Sequence, residues 1–311
     1  MTPTTPARPA IAVLGSTNMD LVAYVATAPR RGETVTGRAF RTVPGGKGAN
    51  QAVAAARSGA EVTMVGAVGE DDFGVRLRTA LEDSGVRTDG LRTVAGESGT
   101  AHIVVDDEGG NAIVVVPGAN GSVSALAEGD EARIAAANVL LLQLEIPLPG
   151  VVAGARTAHD NGVRVVLTPA PAQPLPGELL ALTDLLVPNE HEAEVLTGKS
   201  DPYDAANALL SHVPEVVVTL GSRGALYAAR DAAPVLVPAP AVEAQDTTAA
   251  GDTFVGALAV AHGEGRTMPE ALLWASAAAA LSVQRPGASA SMPHRHETDA
   301  LAAQLSESRT P

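Results

Sequence analysis

Two aspartates flank a run of small residues in the segment DTTAAGDTF, residues 246–254, just before an alanine-rich stretch that predicts a helix. Ala249, Ala250 and Gly251 would then lie at the helix start, where backbone N–H groups have no intrahelical acceptor. Such groups can form an anion hole that stabilises a phosphoryl group in transfer. Asp252 in the first turn could accept a proton from a substrate hydroxyl, or could only stabilise the helix. We expect the helix N-terminus to lower its pKa.

A second segment, PGGKGANQ at residues 44–51, places Lys47 among glycines at the start of another predicted helix. Gly46 and its neighbouring glycines allow a ligand to approach the backbone closely. Lys47 and Asn50 are three residues apart and would share a helix face. The spacing fits neither a Walker A motif nor a GxGxxG fingerprint. A tight strand-to-helix turn without a ligand is the alternative.

Polar or small residues also follow several apolar runs, at the strand ends where open α/β sheets bind ligands. They are Asn18 and Asp20 after IAVLG, Glu145 after VLLLQ, Asn189, Glu190 and Glu192 after LLVP, and Gly221 and Ser222 after VVVTL. Asn18 and Asp20 would point to one side of an extended segment, where an amide and a carboxylate suit a polyol. For each residue, the alternative is that a strand simply ends in a polar residue that binds no ligand.

Continuous runs of Val, Ile and Leu predict the strands that position these residues. The runs are IAVLG (11–15), VTMVG (62–66), VLLLQLE (139–145), VRVVLTP (163–169), LLVPNE (185–190) and EVVVTLG (215–221). Helical stretches separate most of them, which predicts an α/β fold with a doubly wound, mainly parallel sheet flanked by helices. Two insertions, at about 20–42 and 99–116, carry two strand-like runs each and predict a small accessory sheet, with DDEGG as a hairpin turn.

Composition narrows the class of protein. The 311 residues suit two domains or one large α/β domain, and the net charge of −14 argues against nucleic acid or an anionic membrane as partner. The absence of cysteine excludes disulfides, zinc–thiolate sites and a cysteine nucleophile. The start, MTPTTPARPA, lacks the apolar run of a signal peptide, and ALLWASAAAALSV is shorter than the roughly 20 residues of a membrane span. We therefore expect a soluble, cytoplasmic protein.

The segments PGGKGANQAVAAARSGA and DTTAAGDTF resemble the two signature regions of the ribokinase-like (PfkB) carbohydrate kinases. GSTNMDL, GETVTG, GEDDFG, PNEHEAEVLTG and TLGSRG resemble further motifs of that family, in the same order, from about residue 11 to 295. The Asn18-x-Asp20 pair, GGKGANQA, LLQLEIPL and TPAPA are most similar to the members that phosphorylate ribose. The resemblance implies one kinase domain over residues 10–295, a β lid made by the two insertions, and flexible or peripheral tails at 1–9 and 296–311.

The resemblance further implies ATP-dependent phosphorylation of D-ribose at its 5-hydroxyl, with Asp252 as catalytic base and Ala249, Ala250 and Gly251 as the anion hole. The implied sugar contacts are Asn18, Asp20, Gly46, Lys47, Asn50, Glu145 and Asp252. The implied ATP contacts are Asn189, Thr219, Gly221, Ser222, Gly224, Gly251 and Ser276, the last where relatives often have His or Asn near the adenine. Glu192 would hold Mg²⁺ through water, and a K⁺ site would comprise Asp246, Thr248, Ser282, Arg285, Gly287 and Ser291.

Two other functions stay open. Another sugar or nucleoside kinase of the family is one, but a nucleoside needs an apolar or aromatic surface, and no aromatic residue adjoins the sugar-site motifs. A non-catalytic, sugar-binding regulator is the other, but such a protein is expected to have lost Asp252 or Gly251. The apolar lid segments AHIVV and AIVVV need covering, which predicts a homodimer through the lid.

Overall fold

Strands and helices alternate along residues 8–307, the part of the chain that this computed structural model describes. The strands are β1 (Ala10–Leu14), β2 (Asn18–Tyr24), β3 (Ala39–Gly45), β4 (Glu61–Gly69), β5 (Val86–Val94), β6 (Gly99–Val105), β7 (Asn111–Val116), β8 (Val139–Leu142), β9 (Arg164–Leu167), β10 (Leu185–Leu186), β11 (Glu215–Thr219), β12 (Ala225–Ala229) and β13 (Val235–Val237). The helices are α1 (Lys47–Arg57), α2 (Asp72–Asp83), α3 (Asp130–Ala135), α4 (Leu148–Asp160), α5 (Gly177–Ala181), α6 (Glu190–Thr197), α7 (Pro202–Leu209), α8 (Ala250–Gly263), α9 (Met268–Ser282) and α10 (Arg295–Glu307).

The larger sheet has the strand order β13-β12-β11-β10-β9-β8-β1-β4-β5. The neighbours from β11 to β5 are parallel, and β12 and β13 are antiparallel additions at one edge. The predicted doubly wound, mainly parallel sheet is therefore confirmed, and each of the six apolar runs overlaps one of its strands. The sequence prediction did not include β5, β12 or β13, which lie toward the two edges and lack continuous buried runs.

Both faces of this sheet are buried, because helices cover each of them. In β1, Ile11 and Val13 face one core, while Ala12 and Leu14 face the other. The first core packs against α1, α2, α8 and α9, and the second against α3 to α7. This two-faced burial explains why the strands are continuous Val/Ile/Leu runs rather than alternating patterns.

The two insertions pair into one small sheet of order β3-β2-β6-β7, which we call the lid. Strands β2 and β6 are parallel, while β2–β3 and β6–β7 are antiparallel. The predicted turn DDEGG connects β6 to β7, where the N–H of Asp106 donates to the carbonyl of Gly110 at 3.0 Å. Every residue of β7 is exposed, and the side chains of Ile113 and Val114 are 53% and 64% exposed. The lid therefore presents an uncovered apolar strand.

The carboxyl end of the described chain, predicted as a flexible or peripheral tail, forms a helix. Residues 296–307 belong to α10, which is tied to α9 by a hydrogen bond from Trp274 Nε1 to Asp299 Oδ1 at 2.8 Å. Arg266 and Arg295 lie over the Trp274 ring, 4.6 and 5.7 Å from its centroid. The segment is thus a packed helix up to Glu307, while residues 1–7 and 308–311 of the predicted tails lie outside the described range. Within residues 8–307, no helix has the length and hydrophobicity to cross a bilayer.

Candidate active site

Three glycines bring the start of α1 against the carboxyl end of β1 and the start of β2. A Cβ at Gly48 would lie 2.6 Å from the backbone nitrogen of Ser16, and one at Gly46 would lie 2.7 Å from that of Asn18. Gly46 also has a φ of 91°, which L-residues with side chains rarely adopt. A Cβ at Gly45 would lie 2.3 Å from Asp20 Oδ2. The motif PGGKGANQ is therefore a close-approach turn, and its glycines also make room for the carboxylate of Asp20.

Glu145 joins three parts of this edge through one carboxylate oxygen. Its Oε2 accepts hydrogen bonds from Ser16 Oγ at 2.5 Å, from the N–H of Lys47 at 3.0 Å and from Asn18 Nδ2 at 3.4 Å. The carboxylate thus accepts from a free N–H group at the start of α1, and its negative charge interacts favourably with the positive end of that helix. Glu145, expected only as a sugar contact, also fixes the position of α1.

Asn18 and Asp20 lie on the same side of β2, as their spacing predicted. Asn18 is held by Asn120, a buried residue whose Nδ2 donates to Asn18 Oδ1 at 2.8 Å and whose Oδ1 accepts from the N–H of Thr17 at 2.9 Å. The carboxylate of Asp20 makes no hydrogen bond within residues 8–307. Burial, followed by the charges of Glu145 and Asp252, raises its pKa to about 7.

Lys47 provides positive charge among the carboxylates of the site. Burial disfavours its ammonium group, but Asp252, Glu145, Glu192 and Asp20 together raise its pKa above the ordinary value. The sequence-predicted residues from β2, α1, α6 and α8, with Glu145 beyond β8, therefore act on one another electrostatically. A partly buried cluster of this kind, with an unpartnered carboxylate, is typical of a site for a hydroxylated ligand.

Asp252 lies in the first turn of α8 with only 8% of its surface exposed. Its Oδ1 accepts from Gln51 Nε2 at 3.0 Å, and its Oδ2 accepts from Asn50 Nδ2 at 3.1 Å. Desolvation raises the pKa of Asp252, although Lys47 and the two amide donors oppose the shift. The expectation of a lowered pKa was wrong, because burial outweighs the favourable helix terminus. A raised pKa makes this carboxylate a better proton acceptor than an ordinary one.

The backbone before Asp252 leaves N–H groups free for an anion. Ala249 has a left-handed conformation with φ 57° and ψ 18°, which costs a non-glycine residue about 1–3 kcal/mol. Ala250 donates its N–H to the carbonyl of Thr247 at 3.2 Å, so the turn uses a group that we expected to face the anion. The N–H groups of Gly251 and Asp252 find no acceptor within the described chain. Of the three N–H groups expected to face an anion, only that of Ala250 has an acceptor in the described chain, and the N–H of Asp252 is free in addition.

Five of the expected nucleotide contacts, Asn189, Thr219, Gly221, Ser222 and Gly224, lie at or after the ends of β10 and β11. Asn189 and Thr219 form a parallel β-bridge, and the N–H of Thr219 donates to the carbonyl of Pro188 at 2.9 Å. Gly221 and Gly224 have positive φ values of 57° and 108°, and they bend the loop around Ser222. A Cβ at Gly224 would lie 2.0 Å from the carbonyl oxygen of Val237. Ser276 is buried in α9, and the described structure gives it no side-chain hydrogen bond.

Asn189 and Glu192 form a reciprocal capping box at the start of α6. The N–H of Asn189 donates to Glu192 Oε2 at 2.8 Å, and its Nδ2 donates to Oε1 at 3.0 Å. Burial raises the pKa of Glu192, against the opposing effects of that N–H and of Lys47. No cluster of three or more acidic or histidine side chains suited to a metal occurs between residues 8 and 307. A cation here would therefore depend on Glu192, water and a bound phosphate.

The loop that contains Asp246 contacts the segment after α9. Asp246 Oδ1 accepts from the N–H of Thr248 at 2.9 Å, and Oδ2 accepts from the N–H of Gly287 at 2.8 Å. The N–H of Asp246 donates to the carbonyl of Val283 at 3.1 Å. Burial opposes ionisation of Asp246, but these donors and the Thr248 side chain lower its pKa below the ordinary value. Asp246 therefore ties the loop before α8 to the segment after α9 through both its side chain and its backbone.

Three other residues expected at this cation site have partners of their own. The hydroxyls of Ser282 and Ser291 donate to the carbonyls of Ala279 and Ala288, both at 2.8 Å. Arg285 forms an ion pair with Glu297 at the start of α10. Their side chains therefore stabilise the surrounding loop, and only their backbone carbonyls remain as candidate cation ligands.

Sequence reasoning missed four polar residues of the site: Ser16, Gln51, Asn120 and Gln143. All four are buried, with exposed fractions of 1% or less. The search for polar residues after apolar runs could have found Gln143, which follows VLLL directly, and Gln51 lies inside the PGGKGANQ segment. Asn120 gave no local signal, because its partners are more than 100 residues away.

A family model described as pfkB family carbohydrate kinase matches residues 8–295. The chain belongs to this family. Among curated relatives, the chain is 45% identical over 293 residues to the ribokinase of Bacillus subtilis, covering 94% of this chain and 98% of that one. It is 43% identical over 306 residues to the ribokinase of Schizosaccharomyces pombe, covering 93% of this chain and 96% of that one. These relationships confirm the resemblance drawn from the motifs.

A solved structure of Arabidopsis thaliana ribokinase complexed with ribose and ATP superposes on this chain with a TM-score of 0.89. The two sequences are 36% identical, and the match covers 95% of this chain and 99% of that one. The fold prediction, a mainly parallel α/β sheet with a small lid, is thereby confirmed over 95% of the chain.

Proposed function

We propose that this enzyme transfers the γ-phosphoryl group of ATP to the 5-hydroxyl of D-ribose, giving ribose 5-phosphate and ADP. The observation that carries the proposal is the pairing of a buried carboxylate, Asp252, with free N–H groups at the start of α8. The charge of Asp252 acts on Asp20, a carboxylate without a hydrogen-bond partner in the described chain. The ribokinases that are 43% and 45% identical over nearly the whole chain support ribose as the acceptor.

In the proposed reaction, Asp20 and Asn18 bind sugar hydroxyls, together with Lys47, Asn50 and the backbone of Gly46. Asp252 takes the proton of the 5-hydroxyl while the hydroxyl oxygen forms its bond to the γ-phosphorus. The bond between that phosphorus and the bridging oxygen breaks, and ADP leaves with the electron pair. The N–H groups of Gly251 and Asp252 stabilise charge on the transferring group, since phosphoryl transfer depends mainly on positioning and electrostatics.

The nucleotide is proposed to bind along the loop from Thr219 to Gly224, with Asn189 and Ser276 as further contacts. Glu192 fits Mg²⁺ held through water, because both of its oxygens already accept hydrogen bonds from Asn189. One or two carboxylates plus water and phosphate oxygens are the usual magnesium ligands. Bound Mg²⁺ would neutralise charge on the phosphates.

The Asp246 carboxylate fits an alkali cation, because carboxylate oxygens are hard ligands. Each oxygen of Asp246 accepts one N–H group and keeps a further lone pair free. Bound K⁺ would supply fixed positive charge behind the loop that leads into α8. Thr248, Ser282, Arg285, Gly287 and Ser291 complete the proposed site, largely through backbone groups.

Asp246→Ala is expected to lower kcat by about tenfold or more and to leave the KM for ribose nearly unchanged, because misplaced anion-hole donors act mainly on the transition state. Wild-type activity should rise when K⁺ is added to Na⁺ or Tris buffer, and the variant should respond little. Steady-state kinetics across a K⁺ titration measure both effects. Equal wild-type rates with and without K⁺ would leave Asp246 as a loop-capping residue only.

Asp20→Asn is expected to raise the KM for ribose roughly 10- to 150-fold, the equivalent of losing a hydrogen bond to a charged group. The KM for ATP should barely change. Because burial raises the pKa of Asp20 from 3.8 to about 7, the folded state holds this proton more tightly than the unfolded chain does. Stability therefore falls as pH rises between those two values and stays lower above them. The variant should melt at a higher temperature than wild type at pH 8, and the gain should shrink at pH 5. Weaker ribose binding with a lower melting temperature at both pH values would make Asp20 a folding residue.

We also propose one functional domain over residues 10–295, a homodimer through the lid, and action in the cytoplasm, where ATP is available. The exposed apolar strand β7 supports the dimer, since a row of apolar side chains with an open edge favours pairing with another strand. Nucleic acid and membranes are not expected as partners, given the net charge of −14.

A coupled assay for ADP release tests the proposed function directly. The enzyme is offered ribose, other pentoses, fructose, keto-sugar acids and nucleosides, each with ATP and Mg²⁺. We expect ribose to give the highest kcat/KM. A higher value for a nucleoside or another sugar would assign the same chemistry to a different acceptor, and no turnover with any acceptor would leave a sugar-binding regulator.

A further inference from the structure

Two buried glutamines form a continuous hydrogen-bonded chain that ends at Asp252. Gln51 lies on α1 and Gln143 follows β8, and neither side chain is exposed. Gln143 Nε2 donates to Gln51 Oε1 at 2.6 Å, and Gln51 Nε2 donates to Asp252 Oδ1 at 3.0 Å. Gln51 Nε2 also donates to Thr168 Oγ1 at 3.2 Å. These hydrogen bonds thus link the ends of β8 and β9 to the first turn of α8.

The chemistry of the donor and acceptor groups fixes the direction of each hydrogen bond in this series. The ionised carboxylate of Asp252 can only accept hydrogen bonds, so Gln51 must turn its NH₂ group toward it. The carbonyl oxygen of Gln51 is then directed to Gln143, which must in turn present its own NH₂ group. Both N–H bonds of Gln51 have acceptors, on Asp252 and Thr168, and its oxygen has a donor. Gln143 therefore fixes the orientation of Gln51, and Gln51 fixes one edge of the Asp252 carboxylate.

This arrangement leaves one buried polar atom of the two glutamines without a hydrogen bond. The remaining oxygen of Gln143, Oε1, is buried without a partner in the described chain. It lies against Gly15, where a Cβ would be only 2.0 Å away. Buried amides lose hydration, and an apolar side chain of similar volume would fill the space without an unpaired carbonyl. Stability alone therefore does not account for two glutamines at these positions.

We propose that Gln51, oriented by Gln143, is a positioning residue that holds Asp252 with a free lone pair directed to the acceptor hydroxyl. The proposal rests on the proposed function, since Asp252 needs positioning only if it acts as the base. Asn50 holds the other carboxylate oxygen through its Nδ2, but it also lies among the expected sugar contacts. Among the expected sugar contacts, Gln51 hydrogen-bonds only to Asp252, and its other partners are Thr168 and Gln143. Its effect should therefore appear mainly in turnover and much less in sugar binding.

The amide donor also affects the charge of the base. Lys47 on α1 and the donors from Gln51 and Asn50 favour the ionised form of Asp252. Glu145 after β8, Asp20 on β2 and Glu192 on α6 are the other charged groups that act on it, and they disfavour that form. Loss of the Gln51 donor removes one favourable contribution and should raise the pKa of Asp252. Since the base acts when ionised, the acid limb of the kcat–pH profile should then move to higher pH.

Gln51→Met tests the proposal, because methionine keeps the length of the side chain and removes the donor. We expect kcat with ribose to fall by at least about tenfold and up to about 100-fold, with KM within about threefold of wild type. Gln143→Met should lower kcat less, in the same direction. Because Gln143 acts through Gln51, the double variant should match Gln51→Met alone. If Gln51→Met proves poorly folded, Gln143→Met alone still tests the shift of the pH profile.

Thr183→Val is the matched control for loss of a buried hydrogen bond. Thr183 lies just after α5, and its buried hydroxyl donates at 2.8 Å to the carbonyl of Leu179 on that helix, which has no expected site residue. The variant should lose stability but keep wild-type kcat and pH profile. A second readout, independent of turnover, is the ¹³C chemical shift of the Asp252 carboxyl, assigned by its absence in Asp252→Asn. Its titration should move to higher pH in Gln51→Met.

Three results would overturn the proposal: additive losses in the double variant, a change confined to KM, or an unchanged Asp252 titration. Each of these results concerns the variants. Failure of the proposed function would instead appear as a wild-type enzyme without activity on ribose. If another sugar proves to be the acceptor, the same variants are compared on that sugar. If there is no turnover at all, the ¹³C titration alone decides whether Gln51 sets the charge of Asp252.

Discussion

Asp252→Asn is expected to lower kcat by about 10²- to 10⁴-fold, the usual contribution of a positioned general base, while ribose affinity stays within a few-fold of wild type. The amide keeps the shape of the carboxylate but has no useful proton affinity. It can also accept from only one of its two present donors, since its NH₂ group would face either Gln51 Nε2 or Asn50 Nδ2. Kinetics and ribose calorimetry on the same preparation separate transfer from binding.

Asp201→Asn is the matched control, because Asp201 also lies at a helix N-terminus but is exposed, and its helix, α7, has no expected site residue. Its side chain accepts from the N–H groups of Tyr203 and Asp204, a role that asparagine performs equally well. Activity of the control should equal that of wild type. If Asp252→Asn retains more than a tenth of wild-type kcat, its carboxylate would be a helix-stabilising acid and another base would be required.

The wild-type enzyme should show the raised pKa of Asp252 in its pH dependence. As pH falls through that pKa, the base takes up a proton and kcat/KM decreases, so the acid limb should lie above the range of an ordinary aspartate. Burial, the largest cause, could not be inferred from DTTAAGDTF. The sequence showed the helix terminus, which favours ionisation, whereas the enclosing residues come from α1, β2 and the end of β8.

Elements were predicted well where one local pattern decides them. The runs around Val13, Val65, Leu141, Val166 and Val217 predicted strands because both faces of this sheet are buried, and such strands need no alternation. The small sheet was predicted because DDEGG forms a tight turn between two apolar runs. The edge strand β5, VRTDGLRTV, was not predicted because its exposed and buried residues mix without a continuous apolar run.

Site residues were predictable as positions, but their partners were not. Glu145 was identified as a polar residue after a strand, yet its hydrogen bond to the N–H of Lys47 joins residues 98 apart in sequence. Gln51 and Gln143 are 92 residues apart, and only the fold brings their amides to 2.6 Å. Ala250 was expected in the anion hole, but the turn at Thr247 uses its N–H group. Each of these outcomes depends on tertiary contacts rather than on local spacing.

Gly251→Ala is expected to separate stability from activity. The residue is exposed in the first turn of α8, and a Cβ there would meet nothing within 4 Å. Alanine favours a helix over glycine by up to about 1 kcal/mol, so the variant should melt about 2 °C higher than wild type. Glycine at such a position indicates that a ligand approaches the backbone. The new methyl group would keep a phosphoryl group from the Gly251 N–H, and kcat should fall by about 10²- to 10³-fold, as when one anion-hole donor is lost.

Gly177→Ala provides the comparison, because Gly177 also begins a helix, is exposed, and would carry a Cβ that meets no atom within 4 Å. Both substitutions should raise the melting temperature by similar amounts, since each replaces glycine by alanine in a first helical turn. Only the change at Gly251 should reduce turnover, and inorganic phosphate should stabilise the wild type and Gly177→Ala more than Gly251→Ala in thermal melts. Full activity of Gly251→Ala would mean that its N–H does not contact the transferring group, and the anion hole would then have to be sought at the N–H groups of Ala249 and Asp252.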